Sequence, residues 1–219
     1  MFNFKKILLF ISSVILIYSA CTNQPKTKKY TQAEIDSLKN EFVGYCREKN
    51  YEFIHADWSP LTEKDKSAFM GLHYFDYDIS FRHEISIIQY KQQDTINASG
   101  SKPGDIRKVV RFGYLEFEQS GQKNKLVVLK ILPQTQNGES HLWLGFWDLT
   151  SGDQTYPGGR YLDIKPDESG KYVIDFNYAY NPYCAYSDHY SCLIPPLENR
   201  LPIPLTCGEK IYKEHEGQK

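Results

Sequence analysis

Charged, amide and hydroxyl side chains crowd the last third of the chain more densely than packing requires. Asp148 stands close to Thr150, Ser151 and Thr155, and Gly158-Gly159-Arg160 follows. The two glycines could offer backbone amides, and Arg160 a guanidinium, to an anionic group. The same run also reads as a tight turn whose arginine is bonded to a structural carboxylate. Asp175 and Asn177 fall on one strand face by period-two spacing. That face could hold a ligand, or Asp175 could be the internal partner of Arg160 or Arg200. Asp148 with Asp175 or Glu209 is a carboxylate pair of the kind glycoside hydrolysis uses. Asn199, Arg200, Glu209 and Lys210 could line a polar pocket, with a solvated Glu209-Lys210 pair as the plainer alternative. Tyr156, Arg160, Asp175, Asn177 and Asn181 together make a candidate small-ligand pocket. A nucleophilic hydrolase needs a base beside its hydroxyl or thiol, and no G-x-S-x-G elbow is present. P-loop, dinucleotide and H-E-x-x-H patterns are also absent. No cofactor and no metal is expected.

The first residues speak of location. Met1 to Lys6 is short and basic, Ile7 to Tyr18 is almost wholly apolar, and Ser19-Ala20-Cys21 follows. These are the three regions of a secretory signal peptide. A cysteine at the cleavage point marks the bacterial lipoprotein form, in which Cys21 is acylated, although Tyr18 stands where a smaller aliphatic residue is usual. The expectation is a signal peptide over 1–20 and a polar tether over 21–30. The protein is then exported and held to the cell-envelope membrane through its lipid anchor, at the outer membrane on its periplasmic or surface side. The mature chain would carry 24 Lys+Arg against 27 Asp+Glu. With no basic patch among aromatics, nucleic-acid binding is disfavoured. Four further cysteines, Cys46, Cys184, Cys192 and Cys207, suit an oxidising compartment. Cys184 with Cys192 is the natural local disulfide, which leaves Cys46 with Cys207 as the second pair. A four-ligand metal set of Cys184, His189, Cys192 and Cys207 is less favoured, because zinc sites use closer ligand pairs.

The elements that must position these groups are mostly strands. Thr31-Gln32-Ala33-Glu34 is a capping box, and Ile35, Leu38, Phe42 and Cys46 recur at helical spacing, predicting an amphipathic helix from Gln32 to Glu48 that packs on the domain. Thr62 opens a shorter helical turn ending near Gly71. Strand-like runs begin at Phe81 and continue over 108–118, 125–132, 141–147, 161–164, 172–176 and 201–206. Ser120-Gly121, Asn137-Gly138 and the 166–170 cluster supply turns. Val127-Val128-Leu129 suggests a strand buried on both faces. The expected fold is mainly β (α+β): an antiparallel meander closed as a barrel or sandwich, with the N-terminal helix and a short second one. A single domain over 31–212 and a charged tail over 213–219 complete the organisation. Asn181-Pro182 and Pro195-Pro196 bracket a long loop without strand signal, which a Cys184–Cys192 bridge would tie.

Three dense runs carry a family resemblance. They are TSGDQTYPGGR within 150–160, DFNYAYNPYCA within 175–185, and CLIPPLENRL within 192–201, with GEK at 208–210. They resemble the bacterial and archaeal family called domain of unknown function 1684, over about 150 residues from the second helix onward. Leu193 replaces a usual proline, and Cys207 stands where the family has alanine. No histidine falls inside a family motif. The resemblance implies no activity. Three functional classes therefore stay open: a β-domain binding a small ligand, a hydrolase using the same carboxylates, and an envelope scaffold contacting partners through Trp143, Trp147 and the tyrosines.

Overall fold

The computed structural model describes residues 28–133, 138–166 and 171–212. The signal peptide, Cys21, most of the tether, Asn137, residues 167–170 and the charged tail lie outside the described residues.

The capping box forms as expected: Glu34 N–H donates to Thr31 Oγ1 at 3.3 Å, and Thr31 N–H donates to the Glu34 carboxylate at 2.7 Å. It starts α1, Gln32–His55, which runs a further two turns past the expected end. Those turns persist because Phe53 is buried eleven positions, or three helical turns, beyond the buried Phe42. The second helix, α2, covers Glu63–Ser67 and is capped by Thr62.

Eight strands follow: β1 Arg82–Ile85, β2 Ile88–Gln89, β3 Thr95–Ser99, β4 Ile106–Gln119, β5 Gln122–Ile131, β6 His141–Phe146, β7 Arg160–Ile164 and β8 Tyr172–Asp175. All pairs are antiparallel. β1 pairs with β8 alone; the larger sheet runs β2-β4-β5-β6-β7, with β3 also on β4. The β4–β5 hairpin turns on Ser120 and Gly121, whose φ values of 53° and 73° suit the turn type that matches strand twist. A register shift between Arg111 and Gly113 bends β4. There a Cβ on Gly113 would lie 2.4 Å from the Ile88 carbonyl, so glycine admits β2.

The run Leu126 to Leu129 is buried throughout because β5 divides two cores. Leu126 and Val128 face a large core with Leu115, Leu144, Phe146 and Phe176. Val127 and Leu129 face a second, smaller core with Val109, Trp143, Tyr161 and Leu193. A third cluster joins Phe53 of α1 to Leu61, Leu72, Ala185 and Tyr186.

Four expectations need correction. The 201–206 run forms no strand: Pro202 and Pro204 have no N–H to give a ladder, although Leu201, Ile203 and Leu205 still alternate inward. Among the described residues no sheet closes into a barrel; β7 ends the order, and its Tyr161 only exchanges two backbone bonds with Tyr180. Cys184 and Cys192 are bonded, but Cys46 and Cys207 are free thiols, since Cys207 points into the large core while Cys46 sits half-buried on α1. Asp175 and Asn177 do not share a strand face, because Asp175 ends β8 and caps the 3-10 turn Phe176–Tyr178.

Candidate functional site

Most of the polar residues singled out in the sequence, Arg200 and Tyr156 excepted, gather into buried hubs. Arg160 is fully buried. It donates to Asp148 Oδ2 at 2.8 Å, to the Leu205 carbonyl at 2.9 Å and to the Cys207 carbonyl. Asp148 Oδ1 accepts from Thr150 N–H at 2.8 Å, Thr150 Oγ1 at 2.6 Å and Leu205 N–H at 3.2 Å. Ser151 Oγ accepts from Asp148 N–H, and Thr155 Oγ1 pairs with Thr150 Oγ1. The glycines before Arg160 make a tight turn: Gly159 has φ +87°, and a Cβ there would lie 2.6 Å from the Phe146 carbonyl.

Asp175 takes neither Arg160 nor Arg200. Its partner is Arg82, at 2.9 Å, the residue directly opposite it in the β1–β8 register. Tyr77 Oη and Asn177 Nδ2 also donate to it, at 3.1 and 2.7 Å. Asn177 in turn holds both backbone groups of Asp78. Arg200 is exposed and lies over Trp147, 5.1 Å from the ring centre. Tyr156 packs half-buried against the third cluster.

Asn199 is a pin between strands. β5 and β6 pair only from Leu129↔Trp143 to Ile131↔His141, so Val127 and Gly145 would face each other next. The Asn199 amide occupies that place. Its Oδ1 accepts from Val127 N–H at 2.7 Å, and its Nδ2 donates to the carbonyls of Val127 and Gly145 at 2.9 and 2.8 Å.

Glu209 is 1% exposed, not a solvated terminus. One oxygen accepts from Lys49 Nζ at 2.5 Å and Tyr74 Oη at 3.3 Å; the other accepts from Tyr186 Oη at 2.6 Å and Asn181 N–H at 2.7 Å. Burial, the largest single influence, lowers the Lys49 pKa, but the charges and hydrogen bonds of Glu209 and Tyr45 together outweigh it, and the net direction is upward. Lys49 therefore stays an ammonium.

Lys49 opens the feature that the polar motifs do not announce. A groove of about 1220 Å³ lies between α1, the β6–β7 edge and the disulfide-closed loop. Tyr45, Lys49 and Phe53 come from α1, His141, Trp143, Tyr161 and Asp163 from the strands, and Tyr180, Asn181, Tyr183, Tyr190 and Ser191 from the loop side. Of the polar pocket candidates, Asn181 lines the groove, Glu209 lies behind Lys49, Asp148, Arg160, Asp175, Asn177 and Asn199 sit in their hubs, and Arg200 and Tyr156 lie outside both. Tyr180 Oη donates to Asp163 at 2.9 Å, His141 Nε2 lies 3.8 Å from the same carboxylate, and Lys49 Nζ lies 4.9 Å from the Tyr180 ring centre. Trp58 stacks on Tyr183 at 6.2 Å, with ring planes 15° apart. Burial foremost raises the pKa of Tyr45, Tyr161, Tyr180 and Tyr183, so these rims carry neutral hydroxyls. It also pushes the Cys46 thiol up to about 12, which leaves it a poor nucleophile.

The loop wall is well fixed. The Leu193 carbonyl accepts from Tyr161 Oη, the Ser191 carbonyl from Arg107, and the His189 carbonyl from Lys102 Nζ at 3.0 Å. Ser191 Oγ donates to Asp105, and Gly100 bridges to Leu193 beyond the end of β3. A signal for Lys49 did exist: it falls seven positions after Phe42 and four before Phe53, a charge on the buried stripe of α1. The aromatic lining left no such trace, because its members come from distant segments.

Among solved structures, the chain is similar to the solution NMR structure of an uncharacterised protein from Haloarcula marismortui. The two share 28% identity with a TM-score of 0.62, over 85% of this chain and 100% of that one. No curated protein matches. Residues 67–210, most of the chain, match the family model described as protein of unknown function (DUF1684). The chain belongs to the DUF1684 family.

Proposed function

We propose that this protein is an exported lipoprotein, anchored to the cell envelope through Cys21, whose β-rich part binds a small ligand in the aromatic groove. The anchor rests on the basic, apolar and small-residue sequence ahead of Cys21. The Cys184–Cys192 bond agrees with an oxidising compartment. The observation that carries the binding reading is the groove itself: a large concavity with many aromatic walls, a few placed polar groups and a loop wall tied at several points.

Two other classes are less well supported. A hydrolase built on Asp148, Asp175 or Glu209 would need a carboxylate open to substrate, yet each of these accepts from a cation and from N–H or hydroxyl donors in a buried hub. A scaffold docking through Trp143 and Trp147 would need them at the surface, and they are 4% and 9% exposed.

Thermal-shift screening of residues 22–219 against metabolites and glycans tests the binding reading. A true ligand at a hundred times its Kd stabilises by about 2.7 kcal/mol, and the shift should shrink in Trp58→Ala. A ligand whose shift is untouched by groove substitutions would place binding elsewhere. Radiolabelled palmitate incorporation, lost in Cys21→Ala, tests the anchor separately.

A further inference from the structure

Taking the groove as the binding site, we infer that its occupant is a neutral oligosaccharide, its C–H faces set against the exposed Trp58 and Tyr183 rings and its hydroxyls hydrogen-bonded to Asp163. Size comes first. At about 1220 Å³ the groove exceeds the roughly 300–1,000 Å³ of sites for drug-sized molecules, so an extended ligand fits it better than a single small ring.

Charge narrows the class. Three carboxylates, Glu48, Glu52 and Asp163, line the groove against three cations, Lys49, Arg107 and Lys108. Lys49 is already bonded to Glu209, and Arg107 to Asp105 and the Ser191 carbonyl. That leaves Lys108 beside three carboxylates, so the described residues of the groove carry no surplus of positive charge to draw a phosphate or a polyanion. A fatty chain is also a poor match, since Lys49, Asp163 and Asn181 interrupt the apolar walls.

The remaining features fit a sugar chain. Trp58 and Tyr183 are 45% and 38% exposed, and their rings lie within 15° of parallel. Both line the groove, and the face of such rings carries negative charge density that attracts polarised C–H groups. A pyranose presents a flat face of C–H bonds with hydroxyls at its rim. Those hydroxyls need acceptors, and Asp163, about half exposed, stands at the wall. The tyrosine hydroxyls of the groove can donate or accept in turn.

The purified full-length chain would be titrated with neutral hexasaccharides of β-1,4-glucose, β-1,4-N-acetylglucosamine, α-1,4-glucose and β-1,4-mannose, following tryptophan fluorescence and heat of binding. Palmitate and a trigalacturonate serve as apolar and anionic comparators. We expect at least one neutral hexasaccharide to bind and to outcompete both comparators. Trp58→Ala and Tyr183→Ala should each weaken it about two- to tenfold, measured well below each variant's own melting midpoint. If palmitate or trigalacturonate binds and the neutral sugars do not, and the same two alanine variants abolish that binding, the sugar inference falls while the groove stands. If sugars bind but ignore Trp58→Ala and Tyr183→Ala, or nothing in the panel binds, the inference and the groove assignment fall together.

Discussion

Glu209→Gln tests whether the wall behind the groove is held by a buried charge pair. The carboxylate receives four donors on two oxygens, and only 1% of the residue is exposed. Glutamine keeps one oxygen and replaces the other with an N–H donor. On one side that N–H would confront the Lys49 ammonium, on the other the Asn181 backbone N–H, and neither of those can turn round to accept. Removing one partner of a buried pair costs about 3–5 kcal/mol, which lowers the melting midpoint by roughly 6–20 °C for a chain of this size. The pH dependence provides a second, independent readout. In the parent the Lys49 pKa is raised above 10.5, so its contribution is fully present below pH 10.5 and is lost as pH rises through the folded value. In Glu209→Gln the charge and hydrogen bond of Glu209 are gone while burial still opposes the ammonium and Tyr45 still favours it, so the folded Lys49 pKa moves downward. The stability that the parent loses as pH rises past 10.5 should therefore be smaller in the variant, whose alkaline slope is flatter. Urea unfolding at several pH values measures both effects. A loss under about 1 kcal/mol, with the parent's pH slope retained, would refute the buried pair.

Three further outcomes follow from the same structure. Replacing Cys184 and Cys192 by serine opens a short ring and should cost roughly 2–3 kcal/mol on the chain-entropy account, read as a lowered urea midpoint that matches the parent under reductant. Asn199→Ala leaves Val127 N–H and the Val127 and Gly145 carbonyls unmatched in the interior. At about 1–3 kcal/mol per orphaned group this is among the most damaging single changes, and fast hydrogen exchange at the Val127 amide would report it. Burial lowers the pKa of His83, which sits against Phe117 and Phe176 and pairs with Gln119 at 3.1 Å. Below its unfolded value of 6.5 the unfolded chain takes up a proton that the folded one resists. Stability should therefore fall as pH drops from 6.5, and His83→Gln should flatten that slope in acid melts.

Much of the fold is legible where a local rule governs. The capping box at Thr31 and Glu34 forms because both partners lie within one turn. Ser120-Gly121 turns the long hairpin because both positions need positive φ. The apolar run of β5 is buried on both faces as its composition suggests. The 201–206 segment misleads for a physical reason: alternating burial is a property of any extended chain against a core, whereas a strand also needs N–H groups, and Pro202 and Pro204 remove two. Charge partners were not legible either. Asp175 meets Arg82 because β8 lies against β1, a pairing across ninety positions that no local pattern encodes.

The conspicuous polar motifs serve the backbone before any ligand. The segments around 147–160, 175–181 and 195–210 are partly buried yet mostly outside the sheets, so those of their N–H and C=O groups that find no backbone partner must find side chains. Asp148 supplies acceptors to Thr150 and Leu205, Arg160 supplies donors to Leu205 and Cys207, Asn177 clamps Asp78, and Glu209 receives Asn181. Each of these groups is engaged by the fold itself, which separates the framework from the recognition surface. Trp58 and Tyr183 make no side-chain hydrogen bond to any of these pins and contact one another at the surface. Substitutions there can alter what the groove accepts while the hubs hold its walls in place. Substitutions in the hubs should move stability and binding together, and that contrast in coupled unfolding and binding measurements separates the two kinds of residue.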